Sequence, residues 1–181
     1  MPNADDAPEM IHKAKFLNLV KRGSWEYVTR PNVTGIVAIL AITDDRKLIL
    51  VEQFRPPVNQ RVIEIPAGLA GDSASSAAED LATAATRELE EETGYHAARM
   101  QRLTAGVSSA GLTDEVITLF RATQLTKVGK GGGDDHENIQ LHEIPLDQVV
   151  PWLNRRADEG LLIDLKVYSA LYFAEWRTVI D

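Results

Sequence analysis

The stretch of residues 87–95 constrains this chain more than any other, and it reads Arg-Glu-Leu-Glu-Glu-Glu-Thr-Gly-Tyr. In an α-helix, which turns by about 100° per residue, Glu88 and Glu92 lie one above the other on the same face. Two carboxylates at this spacing repel each other by roughly 0.2–0.5 kcal/mol in an isolated helix. A divalent cation would turn this repulsion into ligation, and hard oxygen ligands suit Mg²⁺ or Mn²⁺. The spacing therefore predicts a helix that carries a metal site.

Neighbouring residues distinguish this stretch from an ordinary acidic helix face exposed to solvent. Arg87 precedes Glu91 by four residues and can form an ion pair with it. Glu79 lies about two helical turns before Arg87. Gly94 stands where a helix end favours a left-handed residue. Together these positions predict one helix over residues 80–93.

The same pattern resembles the Nudix box, the signature of the Nudix hydrolases. That box consists of a glycine, five residues, a glutamate, seven residues, and then Arg-Glu-apolar-x-Glu-Glu-x-Gly-apolar. This chain departs from the box because ten residues separate Gly68 from Glu79. The segment 69–78 is rich in small residues and predicts a lengthened loop, after which Asp80 can cap the helix. The resemblance extends over about residues 16–176.

Three other segments are similar to one branch of this family, the ADP-ribose and nucleoside-diphosphate-sugar pyrophosphatases. They are residues 51–56, 64–68 and 109–115. The resemblance implies an α/β protein with the Nudix-type α/β/α sandwich and a mixed sheet. It also implies hydrolysis, dependent on Mg²⁺ or Mn²⁺, of the pyrophosphate bond in ADP-ribose or a related nucleoside diphosphate sugar. The products would be a nucleoside monophosphate and a sugar phosphate.

The resemblance further implies a set of site residues. The metal ligands would be the backbone carbonyl of Ala67 and the carboxylates of Glu88 and Glu92. Glu91 would lie nearby, as a further metal ligand and a candidate catalytic residue. Glu64 would point at the same site. The candidate substrate-binding residues are Trp25, Arg55, Glu64, Glu115, Asp164 and Lys166.

The chemistry of two of these positions supports a substrate-binding role. Arg55 is the candidate phosphate clamp, because a planar guanidinium can bind two phosphate oxygens at once. Asp164 and Lys166 open the last predicted helix, and an Asp-x-Lys pair there is similar to that of nucleoside-diphosphate-sugar hydrolases. The alternative for the pair is purely structural, with Asp164 as a negative charge at the start of the helix.

Trp25 lies in the segment 24–29, which we predict to pair with residues 16–20 as a hairpin. A two-stranded hairpin is not stable alone and must pack against something. Relatives often exchange these strands across a homodimer and stack the nucleobase on an aromatic residue from this region, and stacking accepts any base. We therefore expect a tail and dimerisation hairpin over 1–30 and a catalytic domain over 31–181. A role as a core or interface aromatic is the alternative for Trp25.

Composition narrows the function further. The chain has 181 residues and a formal net charge of −8, which argues against nucleic acid as the main partner. It contains no cysteine, so disulfides, zinc thiolates and a thiol nucleophile are excluded. No apolar run approaches the roughly 20 residues that span a membrane. The first residues are polar and acidic rather than a signal peptide, so the cytoplasm is the default expectation, although export is not excluded.

Hydrophobic patterning predicts strands mixed with three helices. We expect no regular structure in residues 1–10. Besides the hairpin, strands are predicted at 35–42, 48–54, 62–65, 101–105, 115–123 and 139–144. Besides the box helix, helices are predicted to open at 145–153 and to cover 164–176.

Two rival functions fit parts of the pattern. One is hydrolysis of dinucleoside polyphosphates or nucleoside triphosphates, against which the segments around Arg55 and 109–115 argue. The other is a catalytically silent Nudix domain that senses a nucleotide sugar. Such domains tend to lose the box glutamates, whereas this chain has Glu88, Glu91 and Glu92.

The late acidic loop predicts the group that handles water. Residues 130–135 read Lys-Gly-Gly-Gly-Asp-Asp, and we interpret the glycines as a flexible linker that suits a lid. In relatives a carboxylate from this loop orients or deprotonates the attacking water. Glu137 is the first candidate and Asp135 the second. His136 and His142 are interpreted as structural or solvated, because metal-activated water requires no histidine.

We expect Glu137→Gln, and more weakly Asp135→Asn, to lower kcat with little change in KM, because a water-orienting group acts in the transition state. Steady-state kinetics on both variants measures this. Full kcat in both would move the role to another group, with Glu91 as the next candidate.

Overall fold

The computed structural model describes residues 7–71, 79–133 and 138–175. The strands are β1 (Glu9–Lys13), β2 (Asn18–Arg22), β3 (Trp25–Thr29), β4 (Gly35–Ala41), β5 (Lys47–Arg55), β6 (Gln60–Glu64), β7 (Ala67–Ala70), β8 (Tyr95–Val107), β9 (Val116–Lys127), β10 (Gln140–Pro145) and β11 (Leu162–Ile163). The α-helices are α1 (Leu81–Thr93), α2 (Val149–Asp158) and α3 (Leu165–Glu175). None of the described helices is long and apolar enough to cross a membrane.

Strand β4 is buried on both faces, and this organises the layers of the fold. Successive side chains of a strand point to opposite faces of its sheet. Val37 and Ile39 therefore pack in one cluster with residues of α1, while Ala38 and Leu40 pack in another with residues of α2 and α3. A continuous apolar run is what a strand covered on both faces requires, and helices lie on both sides as predicted.

The strands form two mixed sheets and one antiparallel sheet. The first mixed sheet has the order β7-β4-β9-β8, with β4 parallel to β9 and the other pairs antiparallel. The second has the order β10-β5-β6-β11, with β6 parallel to β11 and the other pairs antiparallel. The antiparallel sheet consists of β1, β2 and β3. The predicted α/β class with a mixed sheet is confirmed. Exchange of the N-terminal hairpin between two chains stays a prediction.

Helix α1 begins and ends where local chemistry directs it. The carboxylate of Asp80 accepts hydrogen bonds from the backbone N–H groups of Ala82 at 2.9 Å and Thr83 at 2.8 Å. The hydrogen bond from the Thr83 backbone holds the pKa of Asp80 below its ordinary value. Gly94 adopts the left-handed conformation with φ 71° and donates to the Glu90 carbonyl at 2.7 Å. The helix predicted over 80–93 is confirmed to within one residue.

Several strands differ from the prediction. Strand β1 begins at Glu9, so the expectation of no regular structure up to residue 10 is wrong at its end. All five residues of β1 are exposed, so pairing with β2 rather than apolar alternation defines this strand. Strand β8 covers Tyr95–Val107 rather than 101–105, because its partner β9 pairs with it from Lys127 back to Val116.

A buried carboxylate fastens α2 to the second sheet. Glu52 of β5 is 3% exposed and accepts hydrogen bonds from Arg61 Nε at 2.5 Å and Arg156 Nη2 at 2.9 Å. The His142 ring nitrogen lies 3.0 Å from the same carboxylate, and the ring stands 5.0 Å from that of Trp152. Burial raises the pKa of Glu52, but the hydrogen bonds from Arg61, His142 and Arg156 outweigh it, so the net pKa is lowered. These contacts are consistent with the structural interpretation of His142.

We expect Glu52→Gln to lower the free energy of unfolding by about 3 kcal/mol, because it removes the buried anion that the half-buried Arg61 and Arg156 share. Glu159→Gln is the matched control: it removes the exposed partner of the same Arg156, and an exposed pair contributes about 1 kcal/mol or less. Urea denaturation of the two variants measures the difference.

The same comparison has a pH dependence. Because the folded-state pKa of Glu52 lies below its ordinary value of 4.5, its stabilisation is complete above about pH 5 and is lost as the pH falls through the folded pKa. The gap between wild type and Glu52→Gln should therefore shrink in acid. A gap that is constant from neutral pH into acid would contradict the assignment.

Candidate active site

A cavity of about 650 Å³ lies along the acidic face of α1. Its wall contains four carboxylates, from Glu88, Glu91, Glu92 and Glu115. It also contains four cationic side chains, from Arg30, Arg55, Arg87 and Lys166. Residues 67–69 of β7 and Gly133 also line the cavity. The cavity thus joins the box helix to residues that are far apart in the sequence.

Strand β7 lies in direct contact with two of the helix carboxylates. A Cβ atom at Gly68 would stand 1.9 Å from Cδ of Glu88 and 2.2 Å from both carboxylate oxygens, so only glycine allows this approach. Glu92 is 4% exposed, and its Oε2 accepts a hydrogen bond from the Ala67 N–H at 3.1 Å. The Ala67 N–H therefore orients the carboxylate of Glu92, and the lack of a side chain at Gly68 leaves room for that of Glu88.

Arg87 pairs with three carboxylates, two of them on α1 and one just before it. Its Nη2 donates to Glu79 Oε1 at 2.9 Å and to the Leu69 carbonyl at 3.0 Å. Its Nη1 donates to Glu88 Oε1 at 2.9 Å and to Glu91 Oε2 at 3.0 Å. The hydrogen bond with Glu79 is the main cause that raises the pKa of Arg87, and it lowers that of Glu79. The arginine holds two predicted ligands and is itself held by Glu79.

The donor set of this face fits a divalent cation. The three box carboxylates supply hard oxygen atoms next to the β7 backbone, and Gly68 leaves room for the carboxylate of Glu88. Within residues 7–71, 79–133 and 138–175, no group of three His, Asp or Glu side chains already forms a metal site. Instead, Glu88 and Glu91 accept hydrogen bonds from Arg87.

Arg55 is oriented by a buried carboxylate. Its Nε donates to Glu64 Oε1 at 2.9 Å and its Nη2 donates to Oε2 at 2.5 Å. Glu64 is 4% exposed and also accepts from Gln53 Nε2 at 3.3 Å. A fork-to-fork pair of this kind fixes the plane of the guanidinium. Glu64 thus contacts the predicted phosphate clamp.

Two further ion pairs bring cations to the cavity. Arg30 Nε donates to Glu115 Oε1 at 3.0 Å, across 85 positions of the chain. Lys166 pairs through Nζ with Asp164, and its backbone N–H donates to Asp164 Oδ1 at 2.7 Å. Arg30 is not among the residues predicted from the sequence. Nothing around it marks it as more than a solvated arginine, and only its contact with Glu115 reveals it.

Two predicted site residues, Glu64 and Asp164, do not line this cavity themselves but pair with Arg55 and Lys166, which do. Three further predicted residues are not placed in it. Trp25 is 58% exposed, and its Nε1 donates to the Gly111 carbonyl at 3.2 Å, away from the cavity wall. Its role in base stacking stays a prediction. Glu137 and Asp135 lie outside the described residues, as does His136.

A second cavity, of about 730 Å³, adjoins the first. The two share Arg55, Ser108, Ile117 and Lys166 in their walls. The rest of the second wall is largely aliphatic and includes Pro57, Val58, Val62, Val107, Leu162 and Leu165. The cavity lined by charged side chains therefore adjoins a largely apolar cavity. Arg55 and Lys166, each paired with a carboxylate, line both.

Comparison with known proteins agrees with this arrangement. The NUDIX domain model matches residues 33–165. The chain is 34% identical over 185 residues to an ADP-ribose pyrophosphatase of Bacillus subtilis, covering 97% of this chain and 94% of that protein. It is 38% identical over 147 residues to a methanol dehydrogenase activator of Bacillus methanolicus, covering 81% of this chain and 75% of that protein.

A solved structure supports the fold independently. The crystal structure of an ADP compounds hydrolase superposes with a TM-score of 0.64 at 20% identity, covering 82% of this chain and 80% of that one. At this level of identity the likeness concerns the fold alone. The family model covers most of the chain, and its box helix is the helix that lines the acidic cavity. This chain therefore belongs to the Nudix family, and it is a Nudix hydrolase.

Proposed function

We propose that this protein hydrolyses the pyrophosphate bond of nucleoside diphosphate sugars, with ADP-ribose as the first candidate substrate. One observation carries the proposal: the box carboxylates of α1 share a cavity with four cationic side chains, as binding of a metal and a diphosphate requires. The ADP-ribose pyrophosphatase of Bacillus subtilis, similar over nearly the whole chain, supports the same substrate class. The products are a nucleoside monophosphate and a sugar phosphate.

The metal, Mg²⁺ or Mn²⁺, would be held by Glu88 and Glu92, with Glu91 and the Ala67 carbonyl as further oxygen ligands. When bound, such a cation neutralises phosphate charge and lowers the pKa of bound water. The charge balance of the wall supports this requirement. Acidic and basic side chains are equal in number there, so a diphosphate would add negative charge that the protein alone does not offset.

The protein's own contribution is to orient the diphosphate. Glu64 fixes the guanidinium plane of Arg55, so the arginine can hold phosphate oxygens without first being ordered. Arg30 and Lys166, each held by an acidic partner, flank the same cavity. The role of Glu137 or Asp135 in orienting water is part of the proposal and rests on the family resemblance.

The apolar cavity can accommodate a sugar or nucleoside group attached to the diphosphate. A nucleoside diphosphate sugar carries two bulky groups on one diphosphate, and the two cavities meet at Arg55 and Lys166. The aliphatic wall suits the less polar faces of a sugar or nucleoside. The pair of Asp164 and Lys166 lies at the boundary, where hydroxyl groups can be recognised.

We further propose that the protein is a homodimer that uses the N-terminal sheet. Five large apolar residues of this region are exposed, namely Met10, Ile11, Phe16, Leu17 and Trp25. Deletion of residues 1–30 should give monomers by light scattering and raise KM for nucleotide sugars by more than Arg30→Ala does, the comparison being needed because the deletion also removes Arg30 from the cavity. A truncated protein that stays dimeric with unchanged KM would refute both the dimer interface and the role of Trp25.

A substrate panel with two variants tests the activity. ADP-ribose, GDP-mannose, UDP-glucose and diadenosine polyphosphates are each incubated with Mg²⁺, and released phosphate is measured after phosphatase treatment. Nucleoside triphosphates, which phosphatase would attack directly, are incubated with Mg²⁺ alone and their products are separated by chromatography. Nucleotide sugars should be preferred. Glu92→Gln should lose at least about a hundredfold in rate, the scale for removal of a key electrostatic group.

Glu90→Gln is the matched control, because Glu90 is on the same helix but pairs with the partly exposed His96. It should keep wild-type rates. Full activity of Glu92→Gln would contradict the metal site. Binding of nucleotide sugars without turnover would favour the sensing alternative, and preference for triphosphates or dinucleoside polyphosphates would favour the other.

A further inference from the structure

The backbone that follows β9 is joined to the C-terminal end of α1 by a continuous set of hydrogen bonds. A helix end leaves carbonyl groups without partners inside the helix. Here the carbonyls of Glu91 and Glu92 accept from the N–H groups of Gly133 at 3.0 Å and Gly132 at 2.9 Å. The Thr93 carbonyl accepts from the Lys127 ammonium at 2.7 Å.

The next carbonyl along the chain completes the set. The Gly94 carbonyl accepts from the N–H groups of Val128 at 2.8 Å and Gly129 at 3.1 Å. Four consecutive carbonyls, from Glu91 to Gly94, are thus bonded to residues 127–133. We call residues 127–133 the docking segment, because these hydrogen bonds attach it to the end of α1.

Two glycines make the approach possible. A Cβ atom at Gly131, whose φ is +68°, would lie 2.4 Å from the Thr93 carbonyl carbon and 2.7 Å from the Glu92 oxygen. A Cβ atom at Gly94 would lie 2.3 Å from the Gly129 oxygen. The obstructing atoms are backbone, so no side chain can rotate away to relieve the collision. The interpretation of the triple glycine as a flexible linker does not describe Gly131, which is packed against the helix.

The last turn of α1 is also the turn that carries the predicted metal ligands. Glu91 lines the cavity, and Glu92 stands buried against the Ala67 N–H at 3.1 Å. Gly133, at the end of the docking segment, lines the same cavity. A displacement of the helix end would therefore move Glu91 and Glu92 relative to β7. Misplacement by about 1 Å can reduce catalysis about a hundredfold.

We propose that the docking segment is a positioning element: held on the last turn of α1 by the close packing of Gly131 and by the Lys127 ammonium, it fixes the place of the Glu91 and Glu92 carboxylates at the metal site. This inference rests on the proposed metal-dependent function. It concerns contacts specific to this chain's glycine segment.

Gly131→Ala tests the proposal. We expect the dissociation constant for Mn²⁺, measured by electron paramagnetic resonance without substrate, to rise about tenfold, and kcat for ADP-ribose to fall by at least about tenfold, with a smaller change in KM. Circular dichroism and thermal unfolding establish that the variant is folded. A folded Gly131→Ala protein with wild-type Mn²⁺ affinity and kcat would overturn the proposal.

Two controls separate contact from backbone strain. Gly160, which lies outside the docking segment, has φ +93°, and a Cβ atom there would meet nothing within 4 Å, so Gly160→Ala introduces strain without collision. Gly129→Ala adds a Cβ atom in ordinary contact at 3.9 Å. Both should keep Mn²⁺ affinity within about twofold. If either control weakens Mn²⁺ binding as much as Gly131→Ala, the collision at Gly131 is not the cause and the proposal fails.

A milder variant keeps the test decisive if Gly131→Ala does not fold. Lys127→Met retains most of the side-chain stem and removes the donor to the Thr93 carbonyl, so we expect the same changes at about threefold. An unchanged Mn²⁺ affinity there would overturn the proposal in that case. Failure of the wild-type protein to bind Mn²⁺ would instead contradict the proposed function, which keeps the two failures distinct.

Discussion

Helix α1 places Glu91 and Glu92 in its last turn, where the aligned peptide dipoles already contribute negative charge. This is the least favourable end of a helix for carboxylates, and the surrounding contacts offset it. Arg87 holds Glu91 from one side, and the Ala67 N–H donates to Glu92 from another. The helix end itself receives N–H groups and an ammonium from the docking segment. The site depends on these hydrogen bonds, which offset the repulsion between the negative groups but leave in place the carboxylates that a cation would bind.

The hairpin of β5 and β6 shows how period-two alternation separates two buried glutamates. Glu64 pairs in register with Val51, on the face that carries Arg55, and it orients that arginine at the cavity. Glu52 pairs in register with Ile63, on the opposite face, where Arg61 and α2 hold it. A shift of one residue in register would exchange the two environments. The same hairpin therefore supplies a substrate clamp on one side and an anchor for a helix on the other.

The helix and its capping residues could be predicted because their interactions are local. Arg87 contacts Glu91 four residues ahead of it and Glu79 eight residues behind it, and both separations can be counted in the sequence. The pair of Arg30 and Glu115 joins residues that only the folded sheet brings together, so no spacing predicts it. Strand β1 escaped prediction for a similar reason: its exposed residues lack apolar alternation, and pairing with β2 defines it.

The glycines show most clearly what the sequence cannot predict. A glycine indicates that unusual backbone conformations and close contacts are allowed, but not which contact requires them. Gly68 and Gly131 are both required by close approach, one of a carboxylate to a strand and the other of a backbone to a helix end. Gly132, adjacent in sequence, faces open space. A triple glycine reads as a flexible linker, yet one member of it is fixed by contacts that a sequence cannot display. The acidic and basic side chains of the cavity are equal in number, so the position of each charge affects binding more than the net charge of the cavity does. A diphosphate gains little from the global field of a chain with net charge −8, so its binding depends on where each pre-oriented charge stands.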